Sequence, residues 1–279
     1  GRLGARDSLY LAGNVLDPAG LEEEGRLRRA AGLPAVFLPR RAVRERFGVT
    51  APAGLLSFAN LTADPVRLAR AYLRVAIGRG ARVFAPVEAS AVETGRDGVV
   101  VATAGGPTIA AETVVFCTGY ELPEFIRPRE ARIVSTYAFA TRPQPRRLWP
   151  TRCLLWEASD PYLYVRETPD GRVICGGEDE DFADDDARDA LLARKVQTLS
   201  RKLGRLLPSV DPTPEFSWAG SFGDTETGLP LIGRVPRRRN CYAVLGFGGN
   251  GTTYSRIAAD IVGSALDGVT DSDADLFAF

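Results

Sequence analysis

The chain has 279 residues, with 35 Lys+Arg balancing 35 Asp+Glu, so its formal net charge is zero. Hydrophobic residues at 45% and charged residues at 25% exclude a disordered chain, a collagen-like fibre and a small disulfide scaffold, and the charge balance removes the electrostatic case for nucleic acid or an anionic membrane as partner. Without His there is no imidazole base, no Ser-His-Asp triad and no His-ligated metal; without Met, residue 1 is expected not to be the native start.

The first strand is predicted over Ser8–Ala12. Asp17 then caps a helix with Pro18 at its first position, running to Gly32. A short helix is predicted from Pro39 to Gly48, and a strand over Leu55–Ala59. Asp64-Pro65 repeats the cap-then-proline start, and Leu68, Tyr72, Leu73, Ala76 and Ile77 recur at helical spacing up to Gly80. A strand over Arg82–Ala85 follows. The segments VEASAVET, VVVAT and TIAAE make a three-stranded excursion with turns at GRDG and GGP, and TVVFCTG is a final apolar strand.

Ala131–Thr141 alternates as a long strand, and further strands are predicted at 152–157, 161–167 and 171–176. A polar DEDFADDD segment leads into a long helix, in which Leu191, Leu192, Val196, Leu199, Leu203 and Leu206 form one apolar stripe and which Pro208 ends. This section reads as an antiparallel sheet with a helix packed on it. The last section is a strand, the loop FGGNG and a helix TTYSRIAADIVGSAL. Glycines there let backbone approach a ligand, and the helix start presents unpaired N–H groups and partial positive charge; a plain strand-to-helix turn is the other reading.

Cys117, Cys153, Cys175 and Cys241 show no metal-ligand spacing and each sits in an apolar run, so all four are expected as buried free thiols in a reducing, cytoplasmic setting. No metal site and no membrane span is expected, since no uncharged apolar run approaches the roughly 18 residues that a spanning helix needs. Only two lysines occur, Lys195 and Lys202, and this reads as compositional bias, not a site.

Five segments carry a resemblance: DPVRLARAYLRVAIGRGARV, ETVVFCTGY, YLYVRETPDGRVICGG, WAGSFGDTETGLPLIG and NCYAVLGFGGNGTTYS. In this order the chain resembles the D-amino-acid oxidase superfamily of FAD-dependent oxidoreductases, which includes glycine and sarcosine oxidases. The family opens with a strand–GxGxxG–helix unit for the FAD pyrophosphate, followed by a strand ending in an acidic ribose ligand; that opening unit is not found here, and Gly1 corresponds to a point past it. The resemblance implies α/β plus α+β architecture: an incomplete Rossmann-like FAD-binding domain (61–128 and 218–279) and an antiparallel-sheet substrate domain (1–60 and 129–217). With the opening unit gone, strands 82–86 and 113–118 and the helix from Thr252 are expected to border an open apolar groove.

By position, the resemblance implies non-covalent FAD held by Val87, by Cys117, Thr118 and Gly119, by Gly228 and Pro230, and by Phe247, Gly248, Gly249, Asn250, Gly251, Thr252 and Thr253. Covalent attachment is not expected, because no Cys or His falls in 221–233. Tyr162 and Tyr164 face one side of a strand as a pocket wall or as packed core. The arginine that α-amino-acid members place two residues after WAG is Phe222 here, which suits an amine; Arg166 is the candidate to replace it. The implied function is oxidation of a C–N bond of a small-molecule amine or amino acid by hydride transfer to flavin, as oxidase or dehydrogenase, with this chain a fragment of the enzyme. A truncated homologue acting as a cofactor-free binding module is the second reading, and a flavoenzyme for another C–H donor, such as a hydroxy acid, the third.

Overall fold

The computed structural model describes residues 4–121, 124–126 and 131–279. In chain order the elements are β1 (Gly4–Leu11), α1 (Pro18–Ala30), β2 (Ala35–Pro39), α2 (Arg40–Phe47), β3 (Ala53–Thr62), α3 (Pro65–Gly78), β4 (Ala89–Thr94), β5 (Val99–Thr103), β6 (Ile109–Ala111) and β7 (Val114–Phe116). After them come β8 (Ala131–Thr141), β9 (Leu154–Glu157), β10 (Leu163–Glu167), β11 (Val173–Glu180), α4 (Asp185–Leu206), β12 (Pro214–Thr225), β13 (Leu231–Arg234), β14 (Cys241–Leu245) and α5 (Gly251–Leu266).

The cap-then-proline starts work as local chemistry requires: Asp17 Oδ1 accepts from Gly20 N at 2.8 Å and Asp64 Oδ1 from Arg67 N at 3.0 Å. Asp184 does the same for α4, accepting from Ala187 N at 2.7 Å. The expected strand over Arg82–Ala85 does not form. The segment has no neighbouring strand among the described residues, and Pro86 removes a donor that a ladder would use. VEASAVET pairs only from Ala89 onward.

The chain divides into two compact units, each made of separate stretches: the described residues up to Leu68 with Ser135–Gly220, and those of Ala69–Val134 with Ser221–Phe279. The expected domain border at 128/129 lies outside the described residues. The first unit is built on an eight-stranded mixed sheet in the order β12-β8-β11-β10-β9-β1-β3-β2. Pairs β8–β11, β10–β11, β9–β10, β1–β3 and β2–β3 are antiparallel, whereas β1 and β9 run parallel from Ser8↔Leu154 to Leu11↔Glu157.

Alternation sorts that sheet into two faces. Leu9, Leu11, Leu155, Leu163, Val165, Cys175, Tyr137 and Phe139 are all buried against Leu199 and Leu203 of α4 and Val43 and Phe47 of α2. Burying each such side chain contributes about 1.5–3 kcal/mol. On the opposite face, α1 covers only the β2–β3–β1 end, through Leu21 against Leu55. The rest of that face carries the side chains of interest.

The second unit has the antiparallel sheet β4-β5-β6 and the sheet β13-β14-β7, in which β14 and β7 run parallel. Helix α5 packs Ala258, Ile261 and Val262 on Ile232 and Tyr242. Helix α3 has no buried residue, and its Tyr72 is 63% exposed. Among the described residues no helix is long and apolar enough to cross a membrane.

Candidate functional site

In the second unit, β7, β14 and α5 enclose an apolar groove of about 570 Å³, whose lining includes Val115, Cys117, Gly119, Val244, Phe247 and Gly251. The loop between β14 and α5, Gly246 to Gly251, has the G-x-G-x-x-G spacing between a strand and a helix. The N-cap residue of α5, Asn250, makes no side-chain cap hydrogen bond, and a short 3-10 turn over Gly248–Asn250 leads directly into the helix, whose start carries partial positive charge. Tyr120 leans on Phe247 with ring centroids 5.5 Å apart, and its hydroxyl donates to the Gly248 carbonyl at 3.4 Å. Burial pushes the Tyr120 phenol and the Cys117 thiol up from their ordinary values.

Of the residues assigned by resemblance to FAD, Cys117, Gly119, Phe247 and Gly251 thus meet at one groove. Gly248, Asn250, Thr252 and Thr253 adjoin it in sequence, and a side chain at Gly249 or at Gly119 would meet nothing within 4 Å. Thr118, Thr252 and Thr253 are exposed. Val87 is 51% exposed in a segment outside any strand, Gly228 is exposed and Pro230 is buried beside β13. Cys117 is a correction: Cys153, Cys175 and Cys241 are buried free thiols, but Cys117 is exposed, because it lies just beyond the end of β7 and lines the groove. An uncapped helix start, an apolar wall and glycine positions without obstruction fit the planar, anion-bearing flavin end of FAD.

In the first unit, one register row crosses the sheet as Tyr10, Trp156, Tyr164, Gly176 and Ala138. Tyr10 and Trp156 stack at 3.8 Å, Trp156 Nε1 donates to Ser8 Oγ at 2.9 Å, and the Tyr164 ring lies over Gly176, where a Cβ would meet its hydroxyl oxygen at 2.3 Å. Tyr162 and Tyr164 have ring centroids 6.1 Å apart. They and Arg166 alternate with the buried Leu163 and Val165, so all three sit on the face away from α4. Burial first, then the Asp179 charge, pushes the Tyr164 phenol up to about 12 against the opposing pull of Arg166. Phe222 is half-buried on β12 and belongs to the second unit. The alternation of LLWEAS places Trp156 on this face.

Asp179 is the residue that spacing did not reveal. β11 shifts register on β8 between Gly177 and Glu180, and Glu178 has φ 58°. Glu178 therefore turns to the α4 face, where Lys195 lies 3.8 Å from it and Lys202 also pairs with it, while Lys195 reaches Glu180 at 2.6 Å. The two lysines are thus not incidental to composition: both pair with Glu178 in one ion cluster on the α4 face. Asp179, between the two glutamates, lies near Thr136 and Tyr162, whose hydroxyls stabilise its carboxylate.

Burial outweighs those hydroxyls and raises the Asp179 pKa, and burial likewise raises that of Glu157. Each carboxyl thus holds its proton more tightly folded than unfolded. The resulting stability is complete below about pH 4, near the unfolded value, and is lost as pH rises through the raised folded value. Asp179→Asn removes its share of that loss. Its stability relative to the parent is expected to rise between about pH 4 and pH 7, as read by urea midpoints across a pH series.

The match to the family model described as "FAD dependent oxidoreductase" runs over residues 4–265. Among solved structures, the chain is similar to glycine oxidase from Geobacillus kaustophilus, with TM-score 0.84 and 21% identity over 99% of this chain and 75% of that one. It is also similar to L-proline dehydrogenase from P. horikoshii (TM-score 0.82, 17% identity, 99% of this chain and 76% of that one). A third is L-alpha-glycerophosphate oxidase from Mycoplasma pneumoniae with FAD bound, at TM-score 0.81 and 16% identity, covering 95% of this chain and 73% of that one. No curated protein matches the chain by sequence.

Proposed function

Because the chain belongs to the family of FAD dependent oxidoreductases, we propose that it serves oxidation of the C–N bond of an amine, with its second unit on the flavin side and its first on the substrate side. When bound, FAD accepts the hydride. Gly248, Gly249, Asn250 and the first turn of α5 would face the flavin pyrimidine, where the positive end of the helix favours negative charge. No Cys or His lies in 221–233, which supports non-covalent binding. Tyr162 and Tyr164 orient an apolar substrate chain and exclude water.

The observation that carries the reading is the Tyr162–Tyr164 pair on the sheet face away from α4, in a chain whose family is shown by residues 4–265. Phe222 stands where α-amino-acid members resemble one another in carrying an arginine, so a carboxylate without a charged partner would be desolvated at a cost. Primary or secondary amines are therefore preferred to simple α-amino acids. Reconstitution with FAD and steady-state kinetics test this. The expected result is flavin absorbance with a kcat/KM for an aminoalkane above that for glycine, sarcosine and D-alanine. A higher value for any of the three amino acids refutes the amine preference, and a colourless protein whose Tm FAD leaves unchanged refutes the oxidoreductase reading.

A further inference from the structure

The first unit holds a cavity of about 520 Å³ where the segment after β8 meets the loop before β12. Its charged lining is three arginines, Arg142, Arg146 and Arg147, against one acid, Asp211. The backbone beneath these side chains is fixed. Gln144 joins the two loops: its Nε2 donates to Thr141 Oγ1 and to the Asp211 carbonyl, each at 2.9 Å, and its Oε1 accepts from Asp211 N at 2.8 Å. Gln144 N donates to the Gly171 carbonyl at 2.8 Å, Arg147 N to the Gln144 carbonyl at 2.9 Å, and Ser209 Oγ to the Arg147 carbonyl at 3.0 Å. Pro143 and Pro145 set the backbone angle on either side of Gln144.

The acids nearby are engaged elsewhere. Asp211 Oδ1 accepts from Thr213 N at 3.0 Å and from Thr213 Oγ1 at 2.6 Å, and its Oδ2 lies 3.9 Å from Arg147 Nη1. Glu215 pairs with Arg172 and stands 3.9 Å from Arg142 Nε. Neither 3.9 Å contact is a hydrogen bond. Arg146 is exposed and has no hydrogen bond or ion pair among the described residues. Three guanidinium forks thus surround one cavity with their N–H donors unspent. The chain is neutral overall, so this attraction is local. All three charges come from residues 142–147, which concentrates them. They match an anion whose charge is equally concentrated better than an acidic peptide, whose carboxylates are spread along an extended backbone. Phosphoryl oxygens accept such forks in pairs.

We propose that Arg142, Arg146 and Arg147 form a binding site for a diphosphate group. The site is independent of the oxidation reading, since neither an amine nor turnover enters its test. Calorimetric titration of the whole chain with inorganic pyrophosphate and with uridine diphosphate is the experiment. Tighter binding of the first assigns a free diphosphate and of the second an esterified one, and the site stands in either case. Arg146→Gln, which removes an exposed side chain without a partner, is expected to weaken the better ligand about 10-fold. Arg146→Lys keeps the charge but not the fork and should weaken it less. Exchanging Arg142 and Arg147 for Gln as well should abolish binding while the urea midpoint stays at the parent value. These variants also separate this pocket from the groove beside α5, which they leave intact. No binding of either diphosphate overturns the proposal. So does binding that neither Arg146→Gln nor the triple exchange weakens, or a hexaglutamate peptide bound as tightly as the better diphosphate.

Discussion

Replacing Gly177 by alanine is expected to cost at least about 3 kcal/mol of stability, read as a lowered urea midpoint at unchanged slope. Gly177 has φ 127°, a conformation that L side chains rarely adopt, and an added Cβ would lie 2.1 Å from the Tyr162 carbonyl oxygen. That neighbour is backbone at the entry to the paired strand β10, so relief requires the strands to part. They cannot part cheaply, because Leu163 and Cys175, the buried residues next to the clash, are locked in the main core. Gly176→Ala is a useful contrast. Its Cβ would meet the Tyr164 ring, a side chain that can swing away, so its cost falls mainly on the position of Tyr164. A Gly177→Ala protein within about 1 kcal/mol of the parent would mean that the bulge is not held as described.

Lys195→Met is expected to be the second severe change, at about 3 kcal/mol. The Lys195 and Glu178 side chains are only 10% and 9% exposed. Taking the ammonium away leaves Glu178, with Glu157 near it, to Lys202 alone and Glu180 without its lysine, with the Glu178 carboxylate deprived of solvent. Lys202→Met should cost less, because that side chain is 33% exposed and water can replace part of its pairing. Chemical denaturation of the two variants at neutral pH checks the order. Equal and small losses would show that the cluster is solvated in solution.

The parts of the fold that were legible in the sequence are those whose cause is local. The Asp17-Pro18 and Asp64-Pro65 helix starts follow from a side-chain oxygen reaching the backbone N–H three residues on. The α4 leucine stripe and the alternation in β8 and β10 follow from the helical and strand periods. What was not legible depends on distant partners. The run at 82–85 has strand composition, yet it pairs with nothing among the described residues. Asp179 reads as one acid in a polar run, and only the bulge together with two lysines from another element sends it to the aromatic face. Cys117 follows an apolar strand and reads as buried, but the groove at the end of β7 leaves it exposed.

The parallel pairing of β1 with β9 has a consequence for how the protein is made. β1 can join β3 as soon as Thr62 has left the ribosome, but its other edge is completed only by Leu154–Glu157. At about 5–20 residues per second, synthesis leaves that edge, with the Tyr10 ring beside it, without a partner strand for roughly 5–20 seconds. An open strand edge is a template for pairing with other chains. The nascent protein therefore passes through an interval of greatest exposure to chaperones and to its own neighbours on the polysome, and that interval closes when Trp156 arrives to stack on Tyr10.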